Sequence, residues 1–382
     1  MPSRAKVLVV GLALFSVSAT GCAACRRLSG NDTINLEKAD VKSMSVDIRR
    51  QQKTICPREP VQMAIFADVA LDGDKAPTSV ETWAGREGVN KNDKLDFSDF
   101  AFQSAQGTFD AAGWFTPIPN VLATAGSELE ITTVYRRRPD KFTFKTNYKP
   151  DYACIKESGH DGHPGPGGAS GGTGGAGGMG GHGEPGPRFT VFATIVKTAF
   201  YDRVVALDIS GDATDVLLVP EDQPFSIHAA GGDGGSGGNG GRGAQGSAGA
   251  SGNPGSDGGK GGTGGAGGRG GNGGAGGTVD LVYDARFPDL RSQFKIDVHG
   301  GAPGHGGAGG AGGPGGAGGQ GITPPASKPG AYVPPARSGS TGPTGASGAG
   351  GAMGEAGPPG RANVTAGDAR ARFSRYPELK PL

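Results

Sequence analysis

The chain has almost no net charge, with 37 Lys and Arg against 36 Asp and Glu, a formal +1. That balance excludes nucleic-acid binding driven by a strong overall basic charge, and it excludes a polyacidic tail. Aromatic residues are scarce at 7%, with only two Trp, so apolar material for one large core is thin. No apolar run reaches the ~20 residues of a membrane-spanning helix. Cysteine is limited to four residues, and no paired Cys-x-x-Cys or Cys/His spacing of a zinc site occurs downstream. What the chain has in excess is 77 Gly and 28 Pro, more than a quarter of its 382 residues.

Arg4 and Lys6 precede a mostly apolar stretch over residues 7–19, followed by Ala19-Thr20-Gly21-Cys22. A charged start and a short apolar run read as a signal peptide. With small residues at the two positions before Cys22, the segment resembles the lipobox of bacterial lipoproteins. The resemblance implies cleavage after Gly21, lipidation of Cys22, and an N-terminal lipid anchor; Ala23 at the next position implies the outer membrane. Two or three acyl chains would hold the chain stably, since each buried CH2 contributes ~0.8 kcal/mol. The alternative is an ordinary secretory signal cut near Ala24. Cys56 and Cys154, 98 residues apart, are expected to form a disulfide, with two free buried thiols as the alternative. Cys25 is left over.

The expected organisation is a signal peptide over 1–21, a polar tether over 22–42, and a β-sandwich over 43–156. Glycine-rich blocks interleaved with strands follow over 157–362, and a tail over 363–382. The fold class is therefore mainly β. Runs at 61–69, 95–102, 129–136 and 141–148 have the β-branched and aromatic content of strands. Further strand-like runs at 189–197, 203–209, 215–219, 224–228, 278–283 and 294–299 separate the blocks.

Within the blocks Gly recurs at every third position: ten times over 159–186, sixteen over 231–276, seven over 301–319 and eight over 339–360. The blocks themselves span 159–187, 231–277, 300–321 and 339–360. An extended helix of three residues per turn turns each register into a straight ridge. In the longest block one ridge is Gly throughout, and a second is Gly except from Ala244 to Ser256. The third ridge is decorated. Loss of the second bare ridge marks a chain reversal, with Asn253-Pro254-Gly255 as turn chemistry. The pattern resembles the polyglycine-II bundles of phage adhesins and springtail antifreeze proteins. The resemblance implies lateral backbone hydrogen bonding between bare ridges. The same register is that of collagen, which requires a trimer, although Pro254 is the only Pro between Gly231 and Gly276. Flexible linker is the third reading.

Gly-x-Ser-x-Gly at Gly168 and Gly234 lacks the strand–turn–helix setting of a nucleophile elbow. The acidic loop from Gly88 to Phe100 fails the EF-hand pattern, having Gly88 in the first ligand position. His160, Asp161, His163 and His182 have no ligand spacing, and Arg136-Arg137-Arg138 reads as a solvated hairpin end. No catalytic residues, metal or cofactor are expected. The expected role is a structural or adhesive surface on the cell envelope, from a monomer or, alternatively, a trimeric stalk. The contact ridge is Ser236, Asn239, Arg242, Gln245, Lys260, Thr263, Arg269 and Asn272. A surface polysaccharide or a protein would be the partner, not a nucleic acid.

Overall fold

A computed structural model describes residues 33–49, 53–70, 76–83, 93–329 and 331–382. The expected signal segment, Cys22 and Cys25 lie outside them. Strands dominate: β1 Asp40–Ile48, β2 Thr54–Ile55, β3 Val61–Ala70, β4 Thr78–Thr82, β5 Asp93–Leu95, β6 Phe100–Gln103, β7 Gly107–Phe109, β8 Trp114–Pro117, β9 Leu129–Tyr135 and β10 Thr143–Pro150. They continue with β11 Glu157–Gly159, β12 Arg188–Lys197, β13 Val204–Gly211, β14 Asp215–Val219, β15 Phe225–His228, β16 Thr278–Asp284, β17 Phe294–Asp297, β18 Arg361–Gly367 and β19 Lys380–Pro381. The mainly β expectation therefore holds. The expected run at 95–102 is interrupted by a helical turn at Phe97–Asp99, where the Asp96 side chain accepts the Ser98 N–H. The expected tail contains most of β18, a helical turn Arg370–Phe373 and β19.

Two compact units divide the chain. The first comprises the described residues up to Lys53, with Pro60–Thr116 and Glu130–Asn147. Its main sheet runs β5-β4-β3-β8-β7, with β1 antiparallel to β3. β3 is VQMAIFADVA, and Met63, Ala64, Ile65 and Val69 along it are fully buried. Rings of Phe102, Phe109 and Phe115 pack in series at 5.2 and 4.8 Å.

The second unit comprises Thr54–Glu59, Pro117–Leu129 and Tyr148–Leu382. It contains the disulfide between Cys56 and Cys154, with an S–S distance of 2.01 Å. Its core lies around β12, β13, β15 and β16, where Val191, Ala193, Val205, Leu207, Phe225, Val279 and Leu281 are fully buried. β12 pairs antiparallel with β13 and parallel with β16, and β16 pairs parallel with β18. A separate parallel sheet joins β11, β15 and β17.

Between these strands run six extended segments that are neither strand nor helix along almost their whole length: g1 (160–173), g2 (174–187), g3 (229–252), g4 (255–277), g5 (298–321) and g6 (336–360). The chain passes from β11 through g1 and g2 into β12, from β15 through g3 and g4 into β16, and from β17 through g5 and g6 into β18. Each passage is a long hairpin that adds one member to each of two rows. Strands β11, β15 and β17 lead into the row g1-g3-g5; the row g2-g4-g6 leads into β12, β16 and β18.

The pairing register crosses this boundary unbroken. Glu157 pairs with Ser226, 69 residues on, and Phe225 with Phe294, also 69 on. Beyond the strands Gly162 N–H donates to Ala230 O and Gly231 N–H to His299 O, 68 residues on in both cases. The one-residue difference is the donor-to-acceptor step of a parallel ladder. In the other row β12 pairs with β16 at 90 and β16 with β18 at 83. The glycine bonds again fall one short, from Gly177 N–H to Ala266 O and from Gly258 N–H to Ser340 O.

Candidate functional site

The glycine rows are the most distinctive surface of the second unit, and their backbone chemistry accounts for their sequence. Within a row, neighbours run parallel: g3 donates to g5 from Gly231, Gly234, Gly237, Gly240, Gly243, Gly246, Gly249 and Gly252. Between rows they run antiparallel: Gly259 donates to Ser247 O, Gly262 to Ala244 O and Gly265 to Gly241 O, at 2.7–2.8 Å. Segment g4, and g3 as far as Gly241, thus use two of every three N–H groups laterally. Partners of this kind are what a buried backbone requires.

The bare registers follow from the spacing. A Cβ built on Gly237 would lie 2.1 Å from Gly268 O, and one on Gly238 would lie 1.9 Å from Ala169 O. Both distances are far inside van der Waals contact, so neither position admits a side chain. The reversal between g3 and g4 falls at Asn253 and Pro254, joined by a cis peptide bond.

The remaining register carries the side chains outward, and the eight expected contact residues are split by it. Ser236, Asn239, Arg242 and Gln245 belong to g3, whose row is backed by g2 and g4. Lys260, Thr263, Arg269 and Asn272 belong to g4, whose row is backed by g3 and g5. Seven are exposed and Asn272 is half-buried. They therefore form two ridges on opposite faces, because the block that holds them doubles back on itself.

Two of the eight are occupied by the fold. The third N–H of a triplet has no lateral carbonyl, and at several triplets a short polar side chain on the parallel neighbour accepts it instead. Asn239 Oδ1 accepts the Ala308 N–H at 2.9 Å, and Asn272 Oδ1 accepts the Glu355 N–H at 3.0 Å. Asp233 does the same for Ala302, Asp161 for Ala230 and Asp257 for Ser340. These staples join residues 69 or 83 apart in sequence, so only knowledge of the pairing register reveals them. Arg269 pairs with Glu355 at 3.1 Å on the exposed face, a contact worth little in solvent.

Where the strands give way to glycine, His299 Nδ1 lies 2.6 Å from Asp297 Oδ1. Its hydrogen bond to that carboxylate raises the His299 pKa, and the same bond lowers that of Asp297. His160 meets the Phe189 ring edge-on at 5.9 Å, Asp161 is a staple, and His182 Nδ1 accepts the Asn272 N–H. Those residues are thus parts of the scaffold. Among the described residues no group of three or more His, Cys, Asp or Glu could hold a metal, and no helix is long and apolar enough to cross a membrane. In comparisons with known proteins, no family model, curated protein or solved structure matches the chain.

Proposed function

We propose that the protein is a non-catalytic, lipid-anchored component of a bacterial cell envelope whose glycine rows are polyglycine-II segments serving as a stiff, polar display surface. The observation that carries this reading is the repeated lateral bonding of the glycine at every third position, at 2.7–3.0 Å, along both rows. A linker needs neither the register nor the bare ridges. At about 3.1 Å per residue the g3–g4 hairpin would reach on the order of 70 Å. Its stiffness would come from many lateral bonds of roughly 0.5–1.5 kcal/mol each, set against the ordering entropy of glycine. Ser236, Arg242 and Gln245 on one face and Lys260, Thr263 and Arg269 on the other are the exposed groups left for a partner such as a surface polysaccharide or a protein.

A collagen-like trimer draws no support from the bonding, since the repeated glycine N–H groups find carbonyls within one chain. Anchoring by Cys22 is tested by metabolic labelling with an alkyne-tagged palmitate in a bacterial host. The wild-type chain is expected to label and to fractionate with outer membranes, and Cys22→Ser is expected to do neither. Equal labelling of the two chains would overturn the anchor. Light scattering of the soluble part separates a monomer from a trimer.

A further inference from the structure

Away from the glycine rows, the second unit has an open cleft of about 590 Å³. Its volume falls within the range of small-ligand sites, about 300–1,000 Å³. Its charged lining comes from three separate stretches of chain. Arg58 follows Cys56 by two residues, so the disulfide fixes the turn that carries it. Asp208 and Asp215 stand on the antiparallel pair β13 and β14. Arg372, Arg375 and Tyr376 come from the helical turn Arg370–Phe373 and the residues just after it, anchored by Phe373, which is fully buried.

The charges in this cleft do not balance. Arg58 Nη2 spans both oxygens of Asp215 at 2.7 Å, so that pair is complete. Asp208, only 2% exposed, presents Oδ2 to Arg372 Nε, Arg375 Nη2 and the Tyr376 hydroxyl. One carboxylate thus answers two guanidinium groups. A buried carboxylate needs one cation, and a second beside it costs repulsion unless another negative charge approaches. Arg372 is further held over the Phe192 ring, 5.3 Å from its centroid, and Arg375 over the Tyr376 ring at 4.7 Å. Both guanidinium planes are therefore oriented in advance, while 38% and 50% of their side-chain surface stays open. Fixed, partly open guanidinium groups with unspent N–H donors are the usual means of gripping planar or tetrahedral oxyanions.

We propose that this cleft binds an oxyanion, a carboxylate, sulfate or phosphate carried by a small polar ligand such as an acidic sugar, through Arg372 and Arg375. Asn120 and Thr214 in the same lining are suited to the hydroxyl groups of such a ligand. The site would operate whatever the glycine faces do.

Isothermal titration of the full chain with glucuronate, sulfate and inorganic phosphate at low salt tests it. Saturable one-site binding by at least one of them is expected, weakening as salt rises. Arg375→Gln should weaken it at least tenfold, and Arg375→Lys, which keeps the charge but loses the fork, should weaken it less. Asp208→Asn should tighten it, since the competing carboxylate is gone; a purely structural ion pair predicts no such gain. Arg361→Gln, at an exposed position on β18, should leave it unchanged. Tighter binding of glucuronate than of the inorganic ions would identify a saccharide, and the reverse order a free anion. The proposal is overturned if none of the three saturates, or if Arg375→Gln binds like the wild type. It is equally overturned if a folded Asp208→Asn, checked by circular dichroism, binds no tighter. Should Asp208→Asn fail to fold, the two Arg375 variants decide.

Discussion

Replacing one glycine by alanine should have different effects at two positions that each open a Gly-Gly-Ala step, Gly264 and Gly350. A Cβ on Gly264 would sit 2.0 Å from Gly310 O, 2.5 Å from Gly310 C and 2.8 Å from Ala311 O. Restoring ordinary contact requires g5 to retreat from g4 by roughly 1.4 Å, more than a hydrogen bond tolerates. The bonds at risk are Gly307 N–H to Gly268 O, Gly310 N–H to Gly265 O and Gly313 N–H to Gly262 O, at 2.8–2.9 Å. At about 1 kcal/mol net for each, Gly264→Ala should cost about 2–4 kcal/mol. Gly350 lies in g6, yet the nearest atom to its Cβ position is Gly307 O at 3.8 Å, ordinary contact. Gly350→Ala should be neutral, or stabilising by about 0.4–1 kcal/mol through the unfolded chain. Urea denaturation followed by circular dichroism measures both. Deuterium uptake across 298–321 should rise in Gly264→Ala and stay low in Gly350→Ala. Equal stability of the two variants would refute the close packing of the rows and restore the linker reading.

Other consequences are as direct. Cys154→Ser opens a loop spanning 98 residues and should cost up to ~4–5 kcal/mol on the chain-entropy account, measured by denaturation with and without reductant. In the β16 region, Asp284 receives Arg286 and the Thr194 hydroxyl, and the Arg286 bond chiefly holds its pKa at about 2, against an ordinary 3.8. A depressed carboxylate pKa contributes stability that is present above the unfolded value and lost as pH falls through the folded one. The loss should be roughly 2 kcal/mol between about pH 4 and pH 2, and Asp284→Asn should remove that part of the acid transition in a pH-resolved melting series.

Much of the second unit was legible in its sequence because triplet periodicity is a local property. It marked the bare registers, the outward register and the reversal at Asn253 and Pro254 from the residues alone. The strands at 189–197, 215–219 and 278–283 were legible for a similar reason, since runs such as FTVFATIVK have no other way to bury their side chains. What stayed hidden depends on distant pairing. β18, with the sequence RANVTAG, is mostly exposed and lacks the apolar alternation that announces a strand; its partner β16 makes it one. Asn239 and Asn272 read as solvent-facing because nothing near them in sequence supplies the N–H that each accepts. The surplus guanidinium around Asp208 joins residues more than 160 positions apart.

The unbroken register between strand and glycine has an implication for how such a chain can vary. A hairpin can be lengthened or shortened at its tip by whole triplets in both arms, with every inner contact untouched. A single-residue deletion inside an arm is another matter: it swings side chains such as Arg269 into the crowded interior for the rest of that arm. Natural variation in these arms should therefore come in paired steps of three, concentrated at the far bends, while slips of one residue are purged.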